Sequence, residues 1–217
     1  MNRQLLDTNI YGLLVVDKDF HLLHSKLEEL KQSKELLVYG FDVIKKELKA
    51  APRKKIAGIN PQATLLRAYS SFTFREYAIE YDFQKIAEEY YSAYVKLGGG
   101  LPKSELINDF LIVACASRKC INIVVSEDNA TMLSELSRKA YLKVNQQMNI
   151  SLPAFTGYEK FKKYLLGAGL PNPIIDNSNK LGIFLSIFNI FPLIHFGFFV
   201  HKLMKEKHIY KHFVDKG

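Results

Sequence analysis

Cysteine is scarce in this 217-residue chain, with only Cys115 and Cys120 present. Two cysteines five apart cannot build a disulfide framework. Cys115, inside Val-Ala-Cys-Ala, reads as a small core residue. The six histidines fit neither a His-Glu-x-x-His nor a paired-cysteine spacing, which argues against a zinc site. His21 and His24 fall on a charged helix, while His195, His201, His208 and His212 lie in the tail without partner carboxylates. A glycine-rich phosphate loop is also missing, because Gly98-Gly99-Gly100 follows a helix and not a strand. There are no internal repeats. The first residues, Met-Asn-Arg-Gln-Leu-Leu-Asp, contain no signal-peptide apolar stretch, so a cytoplasmic location is expected.

What is present is an ordinary globular composition, 48% hydrophobic and 24% charged, which excludes a disordered chain. The net charge of +8 implies attraction to polyanions, either nucleic acid or an anionic membrane surface. Apolar patterning predicts alternating strands and helices. Residues 3 to 6 read as a short strand, His21 to Lys34 as a helix, and Glu35 to Tyr39 as a second strand. Gly40 then turns into a helix carrying Glu47, and Pro52, Gly58 and Pro61 mark a loop. Ile79, Phe83, Ile86, Tyr90, Tyr94 and Leu97 give a long amphipathic helix ended by the glycines. Ser104 is expected to cap the next helix, and Ile121 to Val125 is a β-branched run suited to a buried parallel strand. Thr131 to Lys139 reads as a helix, Leu142 to Val144 as a strand, and Gly157 to Leu166 as a closing helix. The pattern predicts an α/β sandwich with a mostly parallel central sheet flanked by helices.

Four acids stand where such a fold makes them conspicuous. Asp7 follows the first strand, Glu47 the second, Asp109 lies in a helix, and Asp128 follows the strand ending at Val125. In a parallel sheet the carboxyl ends of the strands border one crevice. Acids gathered there repel one another unless a cation neutralises them, and oxygen-rich sites suit Mg²⁺ or Mn²⁺. The economical reading is a metal-dependent hydrolase. Against it stand bland roles: Asp7 as a helix cap, Asp109 as part of a polar face with Glu105 and Asn108, Glu127 and Asp128 as solvated acids, and Glu47 as a salt-bridging residue among lysines.

These segments, Leu6-Asp7-Thr8-Asn9, Val43 to Leu48 with Glu47, Asn108-Asp109, Ser126-Glu127-Asp128-Asn129 and Leu152-Pro153-Ala154-Phe155, resemble the PIN-domain family over residues 1 to 166. That family includes metal-dependent ribonucleases of the VapC toxin type. The resemblance implies an endoribonuclease domain in which Asp7, Glu47, Asp109 and Asp128 hold Mg²⁺ or Mn²⁺. It also implies RNA as substrate and an antitoxin-like partner protein. Asn9, Ser126 and Asn129 would orient the site, and the basic loop Arg53-Lys54-Lys55 would contact the nucleic-acid backbone. A haloacid-dehalogenase phosphatase would want a second aspartate at position 9, where Asn9 stands. A non-enzymatic alternative is a membrane-attached RNA-binding or assembly module with a vestigial acidic pocket.

Residues 167 to 217 form an apolar and basic extension outside the resemblance. From Leu181 to Val200 there is no formal charge, about the length of a bilayer span as a helix. Pro192 would kink it, and the lysines that follow oppose the usual charge orientation. The expectation is an apolar helical tail. Through residues 181 to 217 it would either attach to the inner membrane surface or pack on the domain or on a second copy in a homodimer.

Overall fold

A computed structural model describes residues 1 to 54 and 60 to 167. Lys55 and the extension from residue 168 onward, with its apolar stretch, lie outside the described residues. In chain order the elements are β1 (Asn2–Leu6), α1 (Thr8–Val16), α2 (Phe20–Gln32), β2 (Leu36–Phe41), α3 (Asp42–Ala50), α4 (Pro61–Phe72) and β3 (Arg75–Tyr77). Then follow α5 (Tyr81–Lys96), α6 (Lys103–Arg118), β4 (Ile123–Val125), α7 (Glu135–Met148), β5 (Ala154–Thr156) and α8 (Tyr158–Leu165). Among these residues no helix is long and apolar enough to cross a membrane.

The sheet runs β3-β2-β1-β4-β5, and every neighbouring pair is parallel. This is the expected α/β architecture. All six residues of β2 are buried, as a parallel strand covered on both faces requires. The chain adds β2 and β3 on one side of β1, then returns to add β4 and β5 on the other. The direction of winding therefore reverses between β1 and β4. In parallel α/β sheets such a reversal is where the loops beyond the strand ends part and sites are placed.

Local sequence explains most elements and corrects some expectations. Leu142 to Val144, expected as a strand, lies inside α7. Ser137, Ala140, Tyr141, Val144 and Asn145 are its buried positions, a helical stripe that overrides the short apolar alternation. That helix begins at Glu135, capped by the Ser134 side chain, and not at Thr131. Ser104 caps nothing: Pro102 holds the cap position of α6 with φ −66° and Lys103 begins the helix, as the fixed proline φ favours. The loop expected around Pro61 gives way to α4, where the Asn60 side chain accepts from Ala63 N and Pro61 opens the first turn. Strand β3 is short and partly charged, and its sequence gives little β signal. Gly40 is required where β2 meets α4, since a Cβ there would collide with the Tyr69 side chain. On the other side of the sheet, buried Tyr90 donates to Asn145 of α7 and contacts Ser117 of α6, linking three helices through satisfied polar groups.

Candidate active site

The crevice between β1 and β4 is lined by acids. Leu5 and Leu6 are fully buried, so the next residue, Asp7, is delivered to the strand end by core packing. Its backbone N donates to Val125 O at 2.9 Å, which fixes it against the end of β4. Asp7 also occupies the N-cap of α1. Its Oδ1 accepts from Thr8 N at 2.7 Å, and its Oδ2 accepts from Asn9 Nδ2 and Ser126 Oγ, each at 2.7 Å. With 5% of its surface exposed, Asp7 is pushed up to about 7: burial is the main cause, and the charges of Glu47 and Asp128 add to it against the opposing pull of Ser126 and Thr8.

Asp109 stands in the second turn of α6, next to fully buried Phe110. Burial pushes its carboxyl well above the ordinary carboxylate range, and the charges of Asp7, Asp128 and Glu47 push the same way. Asp128 follows β4 in a tight turn where its Oδ1 accepts from Ala130 N at 2.9 Å and Thr131 N at 3.0 Å, the usual conformation of an aspartate that bonds its own following backbone. The Thr131 hydroxyl contacts both Asp109 Oδ2 and Asp128 Oδ2. Glu47, from α3, accepts from the Thr8 hydroxyl and from Asn108 Nδ2, the latter at 2.8 Å.

All four acids thus meet electrostatically at the switch point. Asn9 and Ser126 bond directly to Asp7, and Ser126 Oγ also accepts from Asp128 N at 3.0 Å. Asn129 turns away: its amide donates to the Glu127 carbonyl at 3.2 Å. Glu127 is an anchor for α8, accepting from Tyr158 N. Arg53 and Lys54 are exposed in the segment after α3. Sequence reading missed three residues, Thr8, Asn108 and Thr131. Thr8 lay inside the Asp-Thr-Asn segment, and Asn108 precedes Asp109, but their partner Glu47 is 39 and 61 residues away. Thr131 carried only the weak signal of a hydroxyl three residues after an acid.

The donors suit a hard divalent cation in kind, since all are carboxylate and hydroxyl oxygens. Among the described residues, however, no group of three or more His, Cys, Asp or Glu stands in metal-holding geometry as placed. Thr131 stands between Asp109 and Asp128, with one hydroxyl proton for two carboxylates. Hydroxyl and amide donors from Thr8, Asn9, Asn108, Ser126 and Thr131 are what meet these carboxylates among the described residues.

No family model and no curated protein matches the chain. Two solved structures are similar to it. One is the crystal structure of VapBC2 from Rickettsia felis bound to a DNA fragment from their promoter, with 15% identity over 71% of this chain and 97% of that chain, and a TM-score of 0.47. The other is FitAB bound to an IR36 DNA fragment, with 13% identity over 71% of this chain and 94% of that chain, and a TM-score of 0.44.

Proposed function

We propose that the protein is a nuclease, most specifically an endoribonuclease dependent on Mg²⁺ or Mn²⁺, as the PIN-domain resemblance implies. One observation carries this reading: four acids from β1, α3, α6 and the turn after β4 converge at the switch point without a cation among the described side chains that contact them. Asp7, Glu47, Asp109 and Asp128 would hold the ion. When bound, the ion supplies an activated water and stabilises charge on a phosphodiester. Ser126 and Asn9 orient Asp7, and Thr8 with Asn108 orients Glu47; the acids would still have to draw together around an ion. Burial of Asp7 and Asp109 keeps the site low in dielectric, where a cation is attracted strongly. Exposed Arg53 and Lys54, with the overall positive charge, would hold the backbone. An antitoxin-like partner protein also belongs to this reading.

Thr131, seated between two of the acids, favours one rival: a pocket that has lost its ion and serves in RNA binding or assembly. Purified protein incubated with a mixed RNA pool separates the two. Cleavage with Mn²⁺ or Mg²⁺ that stops with EDTA is expected. Activity that survives chelation, or the absence of cleavage together with weak, non-stoichiometric Mn²⁺ binding, rejects the metal-dependent nuclease.

A further inference from the structure

The folded body hands on its chain at the end of the sheet opposite the acids. Asp7 and Asp128 follow the carboxyl ends of β1 and β4. Helix α8 starts after β5 and runs back, so that Tyr164 near its end meets Asn2, the first residue of β1, and lies near Glu35, which precedes β2. Gly167, where the described body ends, is therefore at the amino ends of the strands. Met1, Lys34, Lys163 and Leu166, the sequence neighbours of these residues, are all exposed, with Glu35 as the acid among them. Residues from Leu5 to Leu165 already supply a continuous buried core.

Beyond Gly167 the sequence changes character. No Asp, Glu, Lys or Arg stands between Leu181 and Val200, where Phe, Ile and Leu dominate, and the lysines that follow outnumber Glu206 and Asp215. We propose that the chain binds an anionic lipid bilayer through residues 181 to 216. The apolar stretch enters the acyl region, and Lys202, Lys205, Lys207, Lys211 and Lys216 meet headgroup phosphates. This binding is independent of the nuclease reading. Stable attachment takes two signals, and an apolar stretch beside a basic one supplies both. A second copy of the chain could cover the apolar stretch, but it carries the same net charge of +8 and would set lysines against lysines. A nucleic acid would meet the lysines and leave the apolar side chains in water. An anionic bilayer satisfies both halves of the segment. Because the chain leaves the body at the end of the sheet away from the acids, attachment does not have to cover them.

The test is flotation of the full chain with vesicles, in EDTA so that no divalent ion bridges protein to lipid. Vesicles of phosphatidylcholine alone are compared with vesicles of phosphatidylcholine and phosphatidylglycerol. The protein is expected to float with the mixed vesicles, about tenfold more strongly than with the neutral ones, and the difference should shrink as salt is raised. Phe188→Asp combined with Ile194→Asp should leave the chain unbound to either. Lys202→Glu combined with Lys205→Glu and Lys207→Glu should remove the preference for anionic lipid. Melting curves establish that the variants keep the folded body. Equal flotation of the parent with both lipids, or unchanged flotation of the aspartate variant, overturns the proposal. A parent that floats with neither vesicle also overturns it; if that parent is a dimer which the aspartates separate, the stretch joins two copies instead. RNA cleavage with Mn²⁺ is read separately on the same proteins. Flotation without cleavage overturns the nuclease reading alone, and cleavage without flotation overturns only the lipid binding.

Discussion

Two clusters of buried acid sit in this molecule, and they are handled in opposite ways. At the end of α1, Asp17 and Asp19 share Lys162 of α8, at 2.7 and 2.8 Å. Tyr158 adds a hydrogen bond to Asp17 at 2.7 Å. Asp17 is 9% exposed by its side chain, yet its carboxyl is held below the ordinary value: burial works against the charge, and the Lys162, Tyr158 and Asp19 backbone hydrogen bonds outweigh it. Asp7 is buried more completely than Asp17 and moves the other way, up to about 7. Deeper burial, with no basic side chain among its described contacts, pushes Asp7 up, whereas Lys162 and Tyr158 hold Asp17 down. The structural cluster brings its own cation, whereas the acids at the ends of β1 and β4 have no basic side chain among their described contacts.

The largest expected effect breaks this comparison at the level of activity. Asp7→Asn should lower metal-dependent RNA cleavage on the order of a hundredfold or more, because an ion misplaced at Asp7 loses both its water and its charge stabilisation. Asp17→Asn should leave the rate per folded molecule near that of the parent. Single-turnover cleavage of a labelled RNA reads both. Similar losses in the two variants would mean that the acid pairs do not differ in the way proposed.

Stability against pH should separate the clusters next. Asp7 binds its proton more tightly folded than unfolded, so the penalty it imposes is absent below its unfolded value, grows from about pH 4, and levels off above about 7. Asp17 has the reverse linkage. Its contribution is complete above its unfolded value and is lost as pH falls through the lower folded value. At pH 8, without metal, Asp7→Asn should raise stability by about 2 kcal/mol: roughly 4 kcal/mol of linkage is removed, offset in part because an amide accepts more weakly from Thr8 and Ser126. Saturating Mn²⁺ should stabilise the parent and not the variant. Lys162→Met should act with the opposite sign, costing about 2 kcal/mol by removing the cation that the two acids share, although Tyr158 still donates to Asp17. Denaturant melts from pH 4 to 8, with EDTA and with Mn²⁺, measure all of this. If Asp7→Asn is destabilising at pH 8 in EDTA, Asp7 is a structural cap.

Much of this contrast was readable in the residue order, and the rest was hidden for physical reasons. The strand ending at Val125 was legible from its β-branched run and locates Asp128, whereas β1, Asn-Arg-Gln-Leu-Leu, signalled itself only by the two leucines before Asp7. Helix α7 was half missed, since Leu142 to Val144 looks extended until the buried stripe from Ser137 to Asn145 is seen as a whole. Helix α4 announced itself with Asn60-Pro61, a cap followed by a first-turn proline, but the same pair is also a turn signal. The grouping of Asp17 and Asp19 with Lys162 joins positions more than 140 residues apart, which no local pattern encodes. The same holds for Thr8 and Asn108 on Glu47, where pairing depends on the sheet order.

The smallest effect is the one that sharpens the comparison most, and it concerns Thr131. Its hydroxyl contacts one oxygen each of Asp109 and Asp128, so it occupies between two acids the place that Lys162 fills between Asp17 and Asp19. A hydroxyl has one proton and no net charge. It can satisfy one carboxylate and leaves the second to be protonated or repelled, in keeping with the raised Asp109 carboxyl. Thr131→Val keeps the shape and removes that proton. In EDTA the variant should lose about 1 kcal/mol, the usual worth of one such bond, and the loss should be greatest at high pH, where both acids are most fully charged. With saturating Mn²⁺ a bound cation takes over the neutralising role, and the two proteins should melt together. Paired melts of parent and Thr131→Val, with and without Mn²⁺, read the convergence directly. A penalty of the same size in both conditions would make Thr131 a permanent bridge, and the crevice would then resemble the Asp17 cluster more than a site awaiting an ion.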